Sequence, residues 1–202
     1  MSINYTKASV RPQTKQTIRG NLQTSTHYTG APDLTAFQRI LLKANGTVTA
    51  MLEAYFSEPI QVVKLSENLA KMELELPNIK LNPEEQVIAR KVLLQGKISR
   101  RNFIYADSLI LINNVEERFS HQLLNTKTPI GKVWSEQKVE TFKEILDTGI
   151  EPANELSNYF CIKPEENLLF RTYSVYSQRK ITMIITEKFP ESYFSPQVPL
   201  AS

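Results

Sequence analysis

Val87-Ile-Ala-Arg-Lys-Val-Leu-Leu94 reads as a β-strand that carries a charge on its apolar face. Side chains alternate between the two faces of a strand, so Arg90 shares a face with Ile88, Val92 and Leu94. A second stretch, Ile181-Thr-Met-Ile-Ile-Thr-Glu-Lys-Phe189, repeats the pattern with the opposite sign. Glu187 stands there with Ile181, Met183, Ile185 and Phe189. An unpaired charge taken out of water is strongly destabilising, so each needs a partner, a ligand or water. A guanidinium and a carboxylate inside one sheet suggest a pocket for a small anion that also bears a hydroxyl.

Working outward, further strand patterns fall at residues 60–66, 69–76, 85–96, 101–112, 138–148, 168–177 and 180–189. Only Gln178 and Arg179 separate the last two, which implies a hairpin although neither is a preferred turn residue. Gly96-Lys-Ile-Ser99 supplies a turn between the two central strands. Upstream, Phe37, Ile40, Leu41 and Ala44 recur at helical spacing, and Asn45-Gly46 stops that helix. A second helix starts at Thr47 or Thr49 as N-cap, carries Met51, Leu52, Tyr55 and Phe56 on its apolar face, and ends before Pro59. One more helical pattern, from Val115 to Leu124, precedes the loop Asn125-Thr-Lys-Thr-Pro-Ile-Gly131. No long helix alternates with each strand, which disfavours a parallel doubly wound sheet. The expected fold is α+β, one domain with an antiparallel sheet of about six strands and helices on one side.

The 202 residues suit a single domain with an extension, and 41% hydrophobic with 22% charged residues is ordinary for a globular chain. The longest apolar run, Leu109-Ile-Leu-Ile112, is too short to span a bilayer. The formal charge of +3 belongs to residues 1–32, which hold Lys7, Arg11, Lys15 and Arg19 and no acid. The remainder has 20 basic against 21 acidic residues, so nothing there argues for nucleic acid. Residues 1–32 read as a flexible basic extension; their hydroxyl-rich, acid-poor composition also describes an organelle transit peptide. The single cysteine, Cys161, suits a reducing compartment and reads as a packed small residue. The expectation is a cytoplasmic protein, with organelle targeting by the extension as the alternative.

Several chemistries drop out. The two histidines, His27 and His121, have no ligand spacing with any cysteine, so a zinc site of the usual kinds is not expected. The six glycines are scattered and assemble no phosphate loop or dinucleotide fingerprint.

Arg90, Glu187 and the loop Lys127-Thr-Pro-Ile-Gly131 remain. By themselves, an arginine and a glutamate in a sheet are more often a structural pair than a site. Their order changes that reading. Ala89-Arg-Lys-Val-Leu-Leu94, Tyr105-Ala-Asp-Ser108, Lys127-Thr-Pro-Ile-Gly131 and Thr186-Glu-Lys-Phe-Pro190 together resemble chorismate lyase (chorismate pyruvate-lyase). Asn45-Gly-Thr-Val-Thr-Ala-Met-Leu-Glu53 is similar to the helical entry segment of that family. The resemblance spans about residues 34–194 and is stronger to the divergent branch of cyanobacteria and mycobacteria than to the enterobacterial enzymes.

The resemblance implies a six-stranded antiparallel sheet and a buried site closed by flaps. It also implies conversion of chorismate to 4-hydroxybenzoate and pyruvate without metal or organic cofactor, the product serving prenylquinone biosynthesis. With the extension read from composition at 1–32, the expected division is a chorismate-lyase-like domain at 33–195 and a tail at 196–202. It assigns Arg90 to the ring carboxylate, Glu187 to the ring hydroxyl, the Ile130 backbone N–H to the ligand, and Val48 to the pocket lining. Arg90 and Glu187 are the implied catalytic pair. For the second carboxylate of chorismate, Lys127, Arg171 and Arg179 are unranked candidates. Asp107 stands where enterobacterial relatives carry an arginine, and Leu111 where they carry a proline.

Two other readings compete. The fold is also similar to the effector-binding domain of certain transcription regulators, which would make this a small-ligand-binding module; residues 1–32 cannot form the winged helix those carry in front. Alternatively, Arg90 and Glu187 simply bridge each other.

Overall fold

The computed structural model describes residues 34–71, 75–76, 79–80, 86–115 and 140–194. The expected extension, the tail, the helix after Val115 and the loop holding Lys127 and Ile130 lie outside the described residues.

Two short helices come first, α1 (Ala36–Lys43) and α2 (Val48–Phe56). Thr35 caps α1, accepting from the Gln38 N–H while the Gln38 side chain accepts from the Thr35 N–H. The Thr35 hydroxyl also donates to the Phe194 carbonyl, and the Gln38 amide donates to that of Glu191. This double use turns Gln38 inward at 2% exposure and leaves Ile40 49% exposed, against the apolar face expected from spacing. Thr35→Ala removes the cap and the tie to Phe194, and should lower stability by about 1–2 kcal/mol in a denaturant melt. Thr47 occupies the N-cap position of α2, one of the two places expected.

The strands are β1 (Ile60–Lys71), β2 (Glu75–Leu76), β3 (Ile79–Lys80), β4 (Gln86–Gly96), β5 (Asn102–Leu111), β6 (Phe142–Pro152), β7 (Asn167–Ser177) and β8 (Lys180–Pro190). A one-turn helix, α3 (Ser157–Phe160), lies between β6 and β7. Six strands form one antiparallel sheet in the order β1-β4-β5-β8-β7-β6, and β2 pairs with β3 apart from it. This is the α+β architecture expected.

Two expected boundaries move. The patterns at 60–66 and 69–76 are mostly one strand, β1, because a bulge between Lys64 and Ser66 breaks the alternation without breaking the pairing. The strand expected at 138–148 runs from 142 to 152, with its own irregularity between Ile145 and Asp147. The β7–β8 hairpin is present, and Gln178 (φ 50°) and Arg179 (φ 63°) both take the left-handed backbone that a tight two-residue turn requires.

One face of the sheet carries two apolar clusters. Near one end, Leu94, Ile104, Leu169 and Phe189 pack with Leu41 and Leu52 of α1 and α2. Near the other, Ile88, Ile110, Val175 and Met183 pack together. The opposite face holds Leu93, Tyr105 and Leu168 against Phe160 of α3. Between the two clusters of the first face the alternation places Arg90, Ser108, Ala106, Glu187, Arg171 and Tyr173. The helices cover one end of that face, and the polar belt beside them becomes the wall of a cavity.

Candidate active site

Register sets the layout. Across the sheet, Arg90 faces Glu67 on β1 and Ser108 on β5, while Glu187 faces Ala106 on β5 and Arg171 on β7. β5 thus lies between the two charges, holding them apart by two strand spacings of about 4.8 Å each. Its side chains at that level, Ser108 and Ala106, are small and leave space between them.

Arg90 and Glu187 do not bridge each other. Glu187, 5% exposed, accepts from Arg171 Nε at 2.7 Å and from the Tyr173 hydroxyl at 2.9 Å. Arg171 is 1% exposed, and its Nη1 donates to the carbonyls of Leu41 and Ala44 at the C-terminal end of α1. Those carbonyls lack helical donors, so a guanidinium suits them in both hydrogen bonding and charge. Burial alone would push the Arg171 pKa down, but the Glu187 charge and Tyr173 raise it overall. Burial, and then the Glu187 charge, lift the Tyr173 phenol well above its ordinary pKa, so it stays a donor. The carboxylate is held from two sides, and each oxygen retains capacity for a further donor.

Arg90 is arranged differently. It is 1% exposed, yet its nearest acid is Glu67, with Nε 3.4 Å from Oε2. Glu67 is held more closely by Lys64, at 2.7 Å. Among the described residues, Arg90 Nε and Nη2 have no hydrogen-bond partner. Burial pushes the Arg90 pKa down and Glu67 opposes that shift, but a guanidinium remains charged. The result is a buried cation with free donors.

Val48, Arg90, Ser108, Lys143, Tyr173 and Glu187 line one cavity, of about 570 Å³ with its mouth included. Of the expected site residues, Val48, Arg90 and Glu187 therefore meet in one place, and Ile130 lies outside the described residues. Among the candidates for a second carboxylate, Arg171 is committed to Glu187 and α1, and Arg179 sits exposed in the β7–β8 turn. Asp107 is on the opposite face, with its carboxylate 3.8 Å from Lys91. Among the described residues no cluster of three His, Cys, Asp or Glu is placed to hold a metal ion, and no helix is long and apolar enough to cross a membrane.

Tyr173 and Lys143 also line the cavity and are not among the residues expected there. Tyr173 shares the apolar face of β7 with Leu169, Arg171 and Val175, so the rule that singled out Arg90 singles out this strand too. Lys143 falls in a strand whose bounds differ from those expected, and the irregularity after Ile145 hides its periodicity.

A protein from Mycobacterium leprae named chorismate pyruvate-lyase is 28% identical over 157 residues, covering 77% of this chain and 75% of that protein. The protein of the same name from Mycobacterium tuberculosis is 29% identical over 168 residues, covering 77% and 80%. Among solved structures, the effector domain of PhnF from Mycobacterium smegmatis has a TM-score of 0.58 at 9% identity, covering 74% of this chain and 91% of that one. The C-terminal domain of the histidine utilization repressor from Pseudomonas syringae has a TM-score of 0.52 at 11% identity, covering 71% and 100%. At such identities the structural likeness concerns the fold alone. The model of the family described as chorismate pyruvate-lyase Rv2949c-like matches residues 42–195, and with most of its sequence so matched the chain belongs to the chorismate pyruvate-lyase family.

Proposed function

We propose that this protein cleaves chorismate to 4-hydroxybenzoate and pyruvate. One observation carries the reading. A fully buried guanidinium with unused donors shares a cavity with a carboxylate already oriented by Arg171 and Tyr173. Arg90 then grips the ring carboxylate through parallel N–H···O bonds, which set the plane of the ring as well as its position. Glu187 accepts from the ring hydroxyl with a remaining lone pair.

In the reaction the ether C–O bond to the ring breaks, and its electron pair leaves on the enolpyruvyl oxygen. The carbon bearing the hydroxyl loses its hydrogen as a proton, the ring becomes aromatic, and the enolpyruvate takes up a proton to give pyruvate. Aromatisation makes the step downhill, so the chain's part is orientation, charge stabilisation and exclusion of water. Glu187 lies beside the carbon that loses its proton, where a fixed negative charge favours that loss. The Ile130 N–H completes the ligand contacts in this reading, and the phenolic acid product suits a prenylquinone precursor in the cytoplasm.

Purified protein incubated with chorismate should release 4-hydroxybenzoate and pyruvate in equal amounts, followed by chromatography and a coupled pyruvate assay. Binding of chorismate without either product would favour a ligand-sensing module. Neither binding nor product would reject both.

A further inference from the structure

Chorismate carries two carboxylates, and Arg90 accounts for one. Of the three charged side chains that line the cavity, Arg90, Lys143 and Glu187, the carboxylate is already matched by Arg171 from behind. Two cations therefore face the cavity, and only one has a ligand group assigned. Lys143 is half-buried on β6, the far edge strand of the sheet, whereas Arg90 is on β4. Four strand spacings, roughly 19 Å, separate the backbones of those two strands. The long side chains reach inward from opposite sides into one cavity, as two clamps on a single elongated dianion would.

Lys143 has the surroundings of a charge that lacks its counter-ion. Among the described residues its one hydrogen bond goes to a neutral acceptor, the Gly46 carbonyl at 3.1 Å, and it takes part in no ion pair. Its ammonium lies 5.2 Å from the centre of the Tyr173 ring. Tyr173 in turn donates to Glu187, and in the strand order β6, which carries Lys143, lies on the other side of β8 from β4, which carries Arg90. Burial lowers the Lys143 pKa, with Glu187 opposing that shift and Arg171 adding to it.

We propose that Lys143 forms a second carboxylate subsite, which takes the acid of the enolpyruvyl side chain and distinguishes a dicarboxylate substrate from the monocarboxylate product. The inference rests on the chorismate reading of this cavity for the identity of that second acid. It also accounts for product release, because 4-hydroxybenzoate keeps the Arg90 and Glu187 contacts but has nothing for Lys143 to hold.

The test compares two stable ligands by calorimetry, 4-hydroxybenzoate and 3-(carboxymethoxy)-4-hydroxybenzoate, which adds an ether-linked second carboxylate. The wild-type protein should bind the dicarboxylate roughly 30-fold more tightly, a charge-assisted contact's worth of affinity. Lys143→Met should erase that preference, leave 4-hydroxybenzoate affinity within about two-fold, and lower kcat/KM for chorismate roughly 100-fold. Lys143→Arg, which keeps the charge, should retain most of the preference. Equal weakening of both ligands in Lys143→Met, or no dicarboxylate preference in the wild type, overturns the subsite. A Lys143-dependent preference in a protein that makes neither product leaves the subsite standing and refutes the lyase reading instead.

Discussion

Arg90→Met is expected to lower kcat/KM for chorismate by roughly a thousand-fold, about 4 kcal/mol of transition-state binding, while the protein melts at an unchanged or higher temperature. The two halves of that expectation have one cause. Arg90 is enclosed by protein, yet its closest acid stands 3.4 Å away and two of its nitrogens lack partners among the described residues. A charge kept in this way weakens the fold, and an apolar side chain of similar length relieves the burial. Glu67 is not stranded by the change, since Lys64 still holds it at 2.7 Å. The ligand, by contrast, loses both its counter-charge and its orienting fork. Thermal melts and steady-state kinetics on one preparation check the two halves together. A large fall in melting temperature with turnover intact would assign Arg90 to structure.

Arg171→Met should behave in the opposite way, with a loss of roughly 3–5 kcal/mol in stability and a fall of about 10 °C in melting temperature. Arg171 is the partner that makes burial of Glu187 tolerable, through the 2.7 Å bond from Nε. It also satisfies the Leu41 and Ala44 carbonyls where α1 ends against the sheet. Its removal leaves Glu187, among the described residues, with the Tyr173 hydroxyl as its hydrogen-bond donor and frees two helix-end acceptors in the interior. Truncating one member of a close buried pair is far more damaging than replacing a guanidinium whose nearest acid among the described residues stands 3.4 Å away. Two arginines equally buried on one face of one sheet should thus separate by more than 3 kcal/mol in chemical denaturation, a figure set by the handling of each charge. Equal melting of the two variants would refute the division of labour drawn from their contacts.

That division was half visible in the chain. Strand alternation alone located Arg90 and Glu187 on apolar faces, and a missing helix between strands implied antiparallel pairing. Both followed because a two-residue period and the presence of connecting helices are local properties. The same rule applied to β7 marks Arg171 and Tyr173, although their roles stay hidden there. Lys143 is hidden for a local reason as well, since an extra residue in β6 shifts its alternation out of phase. Ile40 departs from the expected apolar face because α1 is anchored by Gln38, whose partner Glu191 is 153 residues away in sequence.

The sequence by itself determined the fold class, the two buried charges and the ordered segments shared with a lyase family. Those are properties of composition, period and order along the chain. Which charge pairs with which was decided only by the tertiary structure. Strand order sets β5, with its small Ser108 and Ala106, between Arg90 and Glu187, and sets β7 beside β8, so that Arg171 reaches Glu187 first. Ion pairing depends on distances across strands, and those distances come from the order in which strands assemble, which no local period encodes. The cavity between a guanidinium with open donors and a held carboxylate exists because of that order.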